Sequence, residues 1–230
     1  MLKITVKTAV TTIILLWVLI MNGYAQTYKA APENIPGKVW EIPFASTGNT
    51  ISLSVQNNSS IEVKNISVTF INPPSWLELK LNTVFIKNIS ANSSTDVEFV
   101  FSVNKRAPTE KDTTLSAVIS MADGQRWTKE IRVSVGAPKE YKLYNNYPNP
   151  FNPSTKIAFE LPGASHVKLV IYDVVGREVA QIADGEYPSG YSEVMWNGIN
   201  GNGEHVSSGI YFYRISTGNW NNVMKMMMVK

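Results

Sequence analysis

Cysteine is absent from the 230-residue sequence, and histidine occurs only at positions 166 and 205. Without cysteine there is no disulfide bond, no thiolate metal site and no cysteine nucleophile. Residues 34–137 contain no histidine, so they cannot assemble a Ser-His-Asp triad or a histidine metal site. A phosphate-binding glycine loop is missing as well. These absences predict that the protein is not an enzyme and uses neither a metal nor a cofactor.

A strongly basic region is also absent. The chain has 21 basic and 18 acidic residues, of which residues 26–138 carry 11 and 10, and residues 139–230 carry 8 of each. Nonspecific binding to nucleic acid requires a net positive field that neither half provides. The balance therefore excludes nucleic acid as a partner.

Only one long apolar run is present, from Ala9 to Met21. Thirteen residues are too few to cross a hydrocarbon core of ~30 Å as a helix. Lys3 and Lys7 precede the run, and the small residues of Gly23-Tyr24-Ala25 follow it, which is the pattern of a secretory signal peptide. Residues 1–25 are predicted to be this signal, and the alternative is an uncleaved N-terminal anchor. We expect export through the inner membrane.

Residues 34–137 show the pattern of an immunoglobulin-like β-sandwich, with short strand-like runs separated by turn residues. In the run Val97–Val103, Val97, Phe99, Phe101 and Val103 point to one face, and the intervening side chains point to the other. Asp123-Gly124 predicts the turn of a hairpin between the last two strands. The predicted strands are 39–45, 51–56, 61–70, 77–81, 83–89, 96–103, 114–121 and 126–135.

The tryptophans of this domain allow two interpretations. Trp40, Trp76 and Trp127 either pack in and around the core, or form an aromatic platform that stacks on a glycan or binds a protein. Trp76 follows Pro73-Pro74-Ser75, which predicts that it enters the core at the start of a strand. A third hypothesis is an accessory subunit or a small enzyme that uses a pair of carboxylates, but no motif in the sequence identifies such a pair. The carboxylates at strand positions are expected to face solvent: Glu62, Glu78, Glu98 and Glu130.

The order of features in this domain resembles the NPCBM-associated family of extracellular immunoglobulin-like domains. The features are an Asn-Asn turn, then Pro74-Ser75-Trp76-Leu77, then the turn 89–94 that leads into an apolar strand, and Ala107-Pro108 before the closing hairpin. The resemblance implies a spacer or accessory module beside another domain.

Residues 138–146 are predicted to be a linker, because they are polar with interspersed aromatics. The segment 147–155 that follows contains three prolines within six residues, which fix φ and exclude a helix. Further strand-like runs then predict a second antiparallel sandwich of six or seven strands over residues 147–230. The hairpin turn Val174-Val175-Gly176-Arg177 separates two of these strands.

The second domain resembles the type A C-terminal sorting domain of type IX secretion. Tyr147-Pro148-Asn149-Pro150-Phe151-Asn152-Pro153-Ser154-Thr155 is similar to the opening motif of that family, and the later motifs follow in the expected order. The motif residues carried by the resemblance are Pro148, Asn149, Pro150, Phe151, Asn152, Pro153, Gly176, Arg177, Gly209, Tyr211, Tyr213, Arg214, Lys225 and Lys230.

The resemblance implies that an outer-membrane translocon recognises this domain and that a sortase-like peptidase removes it. The mature protein would then reside on the cell surface or in the medium. Trp196-Asn197-Gly198 also resembles the immunoglobulin-like domain of the flagellar hook-capping protein. In the loop 197–204, Glu204 is the one charged residue, which predicts a connecting loop and not a calcium site. His166 and His205 are expected to be surface residues.

Overall fold

The computed structural model describes residues 13–20, 39–218 and 220–230, all in strands, turns and irregular structure. Within these residues no helix is present, and so none has the length and apolar character needed to cross a membrane. The chain divides into two compact units between Gly136 and Ala137. The predicted fold class, all-β with immunoglobulin-like sandwiches, is confirmed.

The first unit contains two sheets. One has the strand order β1-β3-β7-β5 and the other β2-β9-β8-β4-β6. Its strands are β1 (Ile13–Ile20), β2 (Trp40–Ile42), β3 (Asn49–Asn57), β4 (Val63–Ile71), β5 (Leu77–Leu79), β6 (Thr83–Ile89), β7 (Ser93–Val103), β8 (Asp112–Ser120) and β9 (Arg126–Val135).

Period-two alternation builds the core between these sheets. Val97, Phe99, Phe101 and Val103 of β7 are all buried, as predicted, while Glu98 and Val100 between them are exposed. Phe99 meets Phe70 of the opposite sheet edge-to-face, with ring centroids 4.8 Å apart. The alternation therefore gives each sheet one apolar face, and the two faces close on each other.

Two edges of the first unit depart from the antiparallel arrangement that was predicted. The short strand β2 runs parallel to β9, because the chain enters the sheet beside its last strand. Strand β1 pairs in parallel with β3 over eight residues and lies inside the apolar run that predicts a signal peptide. Residues 1–12 and 21–38, which include Lys3, Lys7 and the predicted cleavage site, lie outside the described residues. The signal peptide stays a prediction.

The second unit also contains two sheets, with strand orders β10-β11-β14 and β13-β12-β15-β16. Its core has aromatic residues at the centre, among them Phe151, Phe159, Trp196 and Tyr213. The strands are β10 (Lys142–Leu143), β11 (Thr155–Leu161), β12 (Ser165–Tyr172), β13 (Glu178–Tyr187), β14 (Gly190–Trp196), β15 (Gly209–Thr217) and β16 (Trp220–Met228).

The predicted turns form as expected. Met121 accepts from and donates to the backbone across the Asp123-Gly124 turn, where Gly124 has φ of +88°, a value that favours glycine. Gly176 has φ of +81° in the turn between β12 and β13 and donates to Asp173 O at 3.1 Å. Strand β13 continues to Tyr187, because its pairing with β12 extends through Asp184 and Gly185 although these residue types have weak strand preference.

Candidate functional site

The proline-rich segment of the second unit, residues 145–153, is fixed by backbone hydrogen bonds at both ends. Tyr147 and Lys156 exchange two N–H···O bonds of 2.9 Å, which join the start of the segment to β11. Phe151 N donates to Met227 O at 3.0 Å, and Val229 N donates to Phe151 O at 2.9 Å. The segment therefore connects β11 of one sheet to β16, the last strand of the other.

A buried polar network lies beneath the segment. Asn146 is 3% exposed, and its Nδ2 donates to Pro148 O and to Thr155 Oγ1, both at 2.9 Å. Asn146 N donates to the Tyr213 hydroxyl at 3.1 Å, and that hydroxyl donates to Tyr144 O at 2.8 Å. Burial raises the pKa of Tyr213 to about 12, so the hydroxyl keeps its proton at neutral pH. This network fixes the conformation of the segment.

Phe151 anchors the middle of the segment in the core. Its side chain is 1% exposed, and its ring lies 5.6 Å from that of Trp196, which in turn packs against Tyr211. Trp196 Nε1 donates to Ile199 O at 2.9 Å, which satisfies the polar atom of this buried indole. Gly198 has φ of +70°, and a Cβ there would meet Pro153 O at 3.0 Å, so a side chain at this position would clash with the segment.

The outer side of the segment borders an open groove of about 620 Å³. Tyr147 is 80% exposed, and Pro148, Asn149 and Pro150 are exposed beside it. Lys225 of β16 lies on the opposite side of the groove and is exposed. The motif thus has two parts: Asn146 and Phe151 are buried as supports, and the residues between them face solvent.

Asn149 contributes a further contact to β16, because its Oδ1 accepts from Met227 N at 3.0 Å. Asn152 and Pro153 are exposed. Lys230 is exposed near the C-terminal end of β16, and Gly209 begins β15. The structure therefore brings residues 148–150 and Lys225 together around one groove, and it pairs Gly209 with Met228, two residues before Lys230.

Arg177 is one of the two arginines among the motif residues that the resemblance carries, the other being Arg214. Its Nε donates to Asp173 Oδ2 at 2.7 Å, and its backbone N donates to Asp173 Oδ1 at 2.9 Å. Burial acts to raise the pKa of Asp173, but these bonds and one from Val175 N outweigh it and hold that pKa below its usual range. Arg177 pairs within its own hairpin, whereas Arg214 is an exposed residue of β15.

The tryptophans of the first unit pack in and around its core. Trp76 is 7% exposed and belongs to the core, as predicted from its position before β5. Trp40 and Trp127 are half-buried and pack against the same core. Trp76 is therefore not available as part of a ligand platform, because its ring faces are covered by neighbouring apolar side chains. The carboxylates Glu62, Glu78, Glu98 and Glu130 are exposed, as expected.

Phe85 is an exposed aromatic residue that sequence reasoning missed. It is 80% exposed on the edge strand β6, and it lines a groove of about 490 Å³ together with Ser67, Lys87 and Ser120. Its position in the strand gave a signal, since Val84 and Ile86 flank Phe85 and two successive residues of a strand cannot both face the core. Because Val84, Phe85 and Ile86 are all apolar, the sequence does not show which of them faces solvent.

Groups of acidic and histidine residues suited to a metal are absent from the residues that the structure describes. His166 and His205 are both exposed, as expected, and His166 lies 3.2 Å from Asp184. In the loop 197–204, Asn200 Oδ1 accepts from the backbone N of Asn202 and of Glu204. The loop uses its side-chain oxygens for its own turn, in agreement with the predicted connecting role.

Residues 145–220 match a family model described as the FlgD Ig-like domain. The match confirms the resemblance to the immunoglobulin-like domain of the hook-capping protein and covers the second unit alone. No curated protein matches the chain. The sorting-domain resemblance and the resemblance of the first domain to NPCBM-associated domains remain predictions.

Solved structures similar to the chain include several bacterial proteins. Dimeric latent PorU from Porphyromonas gingivalis shares 15% identity at a TM-score of 0.35, with 85% of this chain and 19% of that chain covered. PorZ, a surface component of the type-IX secretion system of the same organism, shares 21% identity at a TM-score of 0.31, with 50% of this chain and 15% of that chain covered. The CupB2 chaperone of Pseudomonas aeruginosa shares 11% identity at a TM-score of 0.29, with 83% of this chain and 98% of that chain covered. The chain thus spans a fifth or less of PorU and PorZ.

Proposed function

We propose that the protein is an exported, non-catalytic surface or secreted protein whose second unit directs translocation across the outer membrane by type IX secretion. The first unit is the cargo or spacer that this unit carries. A translocon protein recognises the folded second unit, and a sortase-like peptidase removes it afterwards. The assignment to type IX secretion rests on the motif residues by which the sequence resembles the sorting-domain family.

The division of the motif into buried supports and an exposed surface is the observation that carries the proposal. Asn146 and Phe151 hold the segment against the core, and Pro148, Asn149 and Pro150 are exposed in one fixed conformation. Recognition is favoured when the recognised residues are already ordered, because binding then costs little conformational entropy. A motif that served packing alone would not need four successive exposed residues beside a groove.

Deletion tests the function directly in a bacterium that has a type IX secretion system. A chain without residues 147–230 should accumulate in the periplasm, whereas a chain without residues 39–136 should still reach the surface or the medium. Cell fractionation measures both, with protease resistance as the check that each retained unit is folded. Unchanged surface or medium levels after deletion of residues 147–230 would refute the proposal.

A second candidate function is ligand binding by the first unit at the Phe85 groove. The exposed ring of Phe85 stands beside the small side chains of Ser67 and Ser120, an arrangement that accepts the apolar face of a sugar ring or a partner's side chain. Phe85→Ala should abolish binding on a glycan array without lowering the melting temperature. Leu81→Ala, which removes another exposed apolar side chain, is the matched control. Equal binding by both variants and the parent chain would exclude this site.

A further inference from the structure

Strand β16 is the edge strand of its sheet, and within the part of the chain that the structure describes only one end of its outer edge is covered. The backbone groups of Met227 and Val229 point away from β15, since they bond Asn149 and Phe151. Because both backbone groups of a residue in an antiparallel strand point to the same side, and sides alternate, the outward residues continue at Lys225, Val223 and Asn221. These three lie beyond the segment that covers the end of the strand.

The uncovered stretch has defined ends and a groove beside it. At one end the Trp220 ring stacks on Tyr141, with centroids 5.1 Å apart, and at the other end Phe151 occupies the edge at Met227. The 620 Å³ groove lies between Met224 and Lys225 on one side and residues 145–150 on the other. Val223 N is bonded by the exposed side chain of Asn222 at 2.7 Å, a contact that an incoming carbonyl oxygen can replace.

The surface around this stretch is basic and apolar. Lys225 and Arg214 lie on the outer face of β15 and β16, where Lys225 is opposite Phe212 and Arg214 is opposite Val223. Neither strand contains an acidic residue, and none lines the groove. Val223 is 51% exposed and Met227 42% exposed on the same face. On a strand added beside β16, every second side chain points to this face, so acidic side chains at alternate positions of a partner would complement Lys225 and Arg214.

We propose that the outer edge of β16 over Asn221–Lys225 receives an extended segment of a partner protein as an additional strand, with acidic side chains of that segment against Lys225 and Arg214. Strand addition to an exposed edge uses main-chain hydrogen bonds for affinity and side chains for specificity. The inference rests on the proposed export function and names the kind of segment that the translocon presents. The Asn149 and Phe151 contacts set where the added strand ends.

Binding is tested on the full chain with a synthetic peptide that alternates Val and Glu over about eight residues, the length of a typical strand. Fluorescence anisotropy measures affinity, and hydrogen exchange should show protection at residues 221–225. Val223→Pro removes an outward N–H, and the ladder to β15 stays intact because proline is tolerated on an edge. We expect this variant to weaken binding about tenfold or more.

Charge reversal tests the specificity. The double variant Arg214→Glu/Lys225→Glu should lose affinity for the Val-Glu peptide and bind a Val-Lys peptide of the same length instead. Lys168→Glu, which reverses one basic charge on β12 away from the edge, should change neither affinity. Absence of binding by the parent chain, protection outside residues 221–225, or equal binding by Val223→Pro would overturn the proposal.

An export assay distinguishes failure of this inference from failure of the proposed function. If deletion of residues 147–230 blocks export while folded Val223→Pro and the double variant are exported at the parent level, the strand-addition proposal is wrong and the sorting function stands. If export continues after the deletion, the sorting function itself is wrong, and the proposal for β16 as an export contact falls with it.

Discussion

Asn57 in the first unit and Asn146 in the second are both buried asparagines whose side chains fix irregular segments, but they reach over different distances. Asn57 Nδ2 donates to Ile61 O, Ile89 O and Ser90 O, and its Oδ1 accepts from Ser59 within the next turn. Asn146 belongs to a network that joins residues 146, 155 and 213. The first network joins the end of β3 to the end of β6 in the other sheet and closes the turn at Ser59. The second network reaches over 67 residues and holds the candidate recognition segment on two sheets.

The same contrast applies to the aromatic residues that follow prolines. Trp76 comes after Pro73-Pro74-Ser75 and enters the core of the first unit just before β5. Phe151 comes directly after Pro150, and its backbone also bonds Met227 and Val229 at the end of β16. In the first unit the aromatic anchor stabilises the fold alone. In the second unit the anchor also determines which part of an edge strand is covered.

Trp76→Ala should give the largest loss of stability, about 3–5 kcal/mol, because it removes a large buried side chain from the core. Hydrogen exchange on the full chain should locate the loss to β3 and β7, with the second unit unchanged. Trp127→Ala, which truncates a half-buried ring, is the matched control and should cost less. Equal losses for the two tryptophans would contradict the core position of Trp76.

Phe151→Ala should destabilise the second unit by about 3–5 kcal/mol for the same reason. Because the Phe151 backbone bonds depend on the position of its ring, faster hydrogen exchange is also expected at the amides of residue 151 and Val229, which donate to Met227 O and to the residue 151 carbonyl. Tyr147→Ala, a truncation of an 80% exposed ring in the same segment, should leave both quantities unchanged. Slow exchange at Val229 in Phe151→Ala would show that the segment is held by other contacts.

Much of the first unit follows from its sequence, since in strands such as β7 the period-two alternation and the turn residues determine which side chains are buried. The candidate site follows only in part. Phe151 belongs to a recognisable motif, but the Asn146 network joins positions 67 residues apart through side-chain hydrogen bonds, which leave no periodic signal. The covering of β16 by Asn149 is equally non-local.

Asn146→Ala and Asn57→Ala should each cost about 1–3 kcal/mol, because each removes side-chain hydrogen bonds to polar groups of the interior. Their consequences for the proposed function should differ. Asn146→Ala removes one of the two donors to Pro148 O, the other being Thr155 Oγ1, and is expected to reduce export and Val-Glu peptide binding. Asn57→Ala should leave both intact. Asn145→Ala, at an exposed neighbouring position, is the control for the first variant. Equal export defects in Asn57→Ala and Asn146→Ala would mean that export responds to stability in general.

The smallest expected effect concerns the Arg177 hairpin, where the motif arginine pairs with Asp173. Because the pKa of Asp173 is lowered in the folded state, its contribution to stability is present above the pKa of the unfolded chain and is lost as the pH falls through the folded value. Arg177→Ala should raise the Asp173 pKa toward its usual value, since two backbone N–H donors remain and only the side-chain donor is lost. An NMR titration of the Asp173 carboxyl in the full chain measures this, with Arg214→Ala as the control. An unchanged Asp173 pKa in Arg177→Ala would leave the arginine free for the translocon contact that its place in the motif first implied.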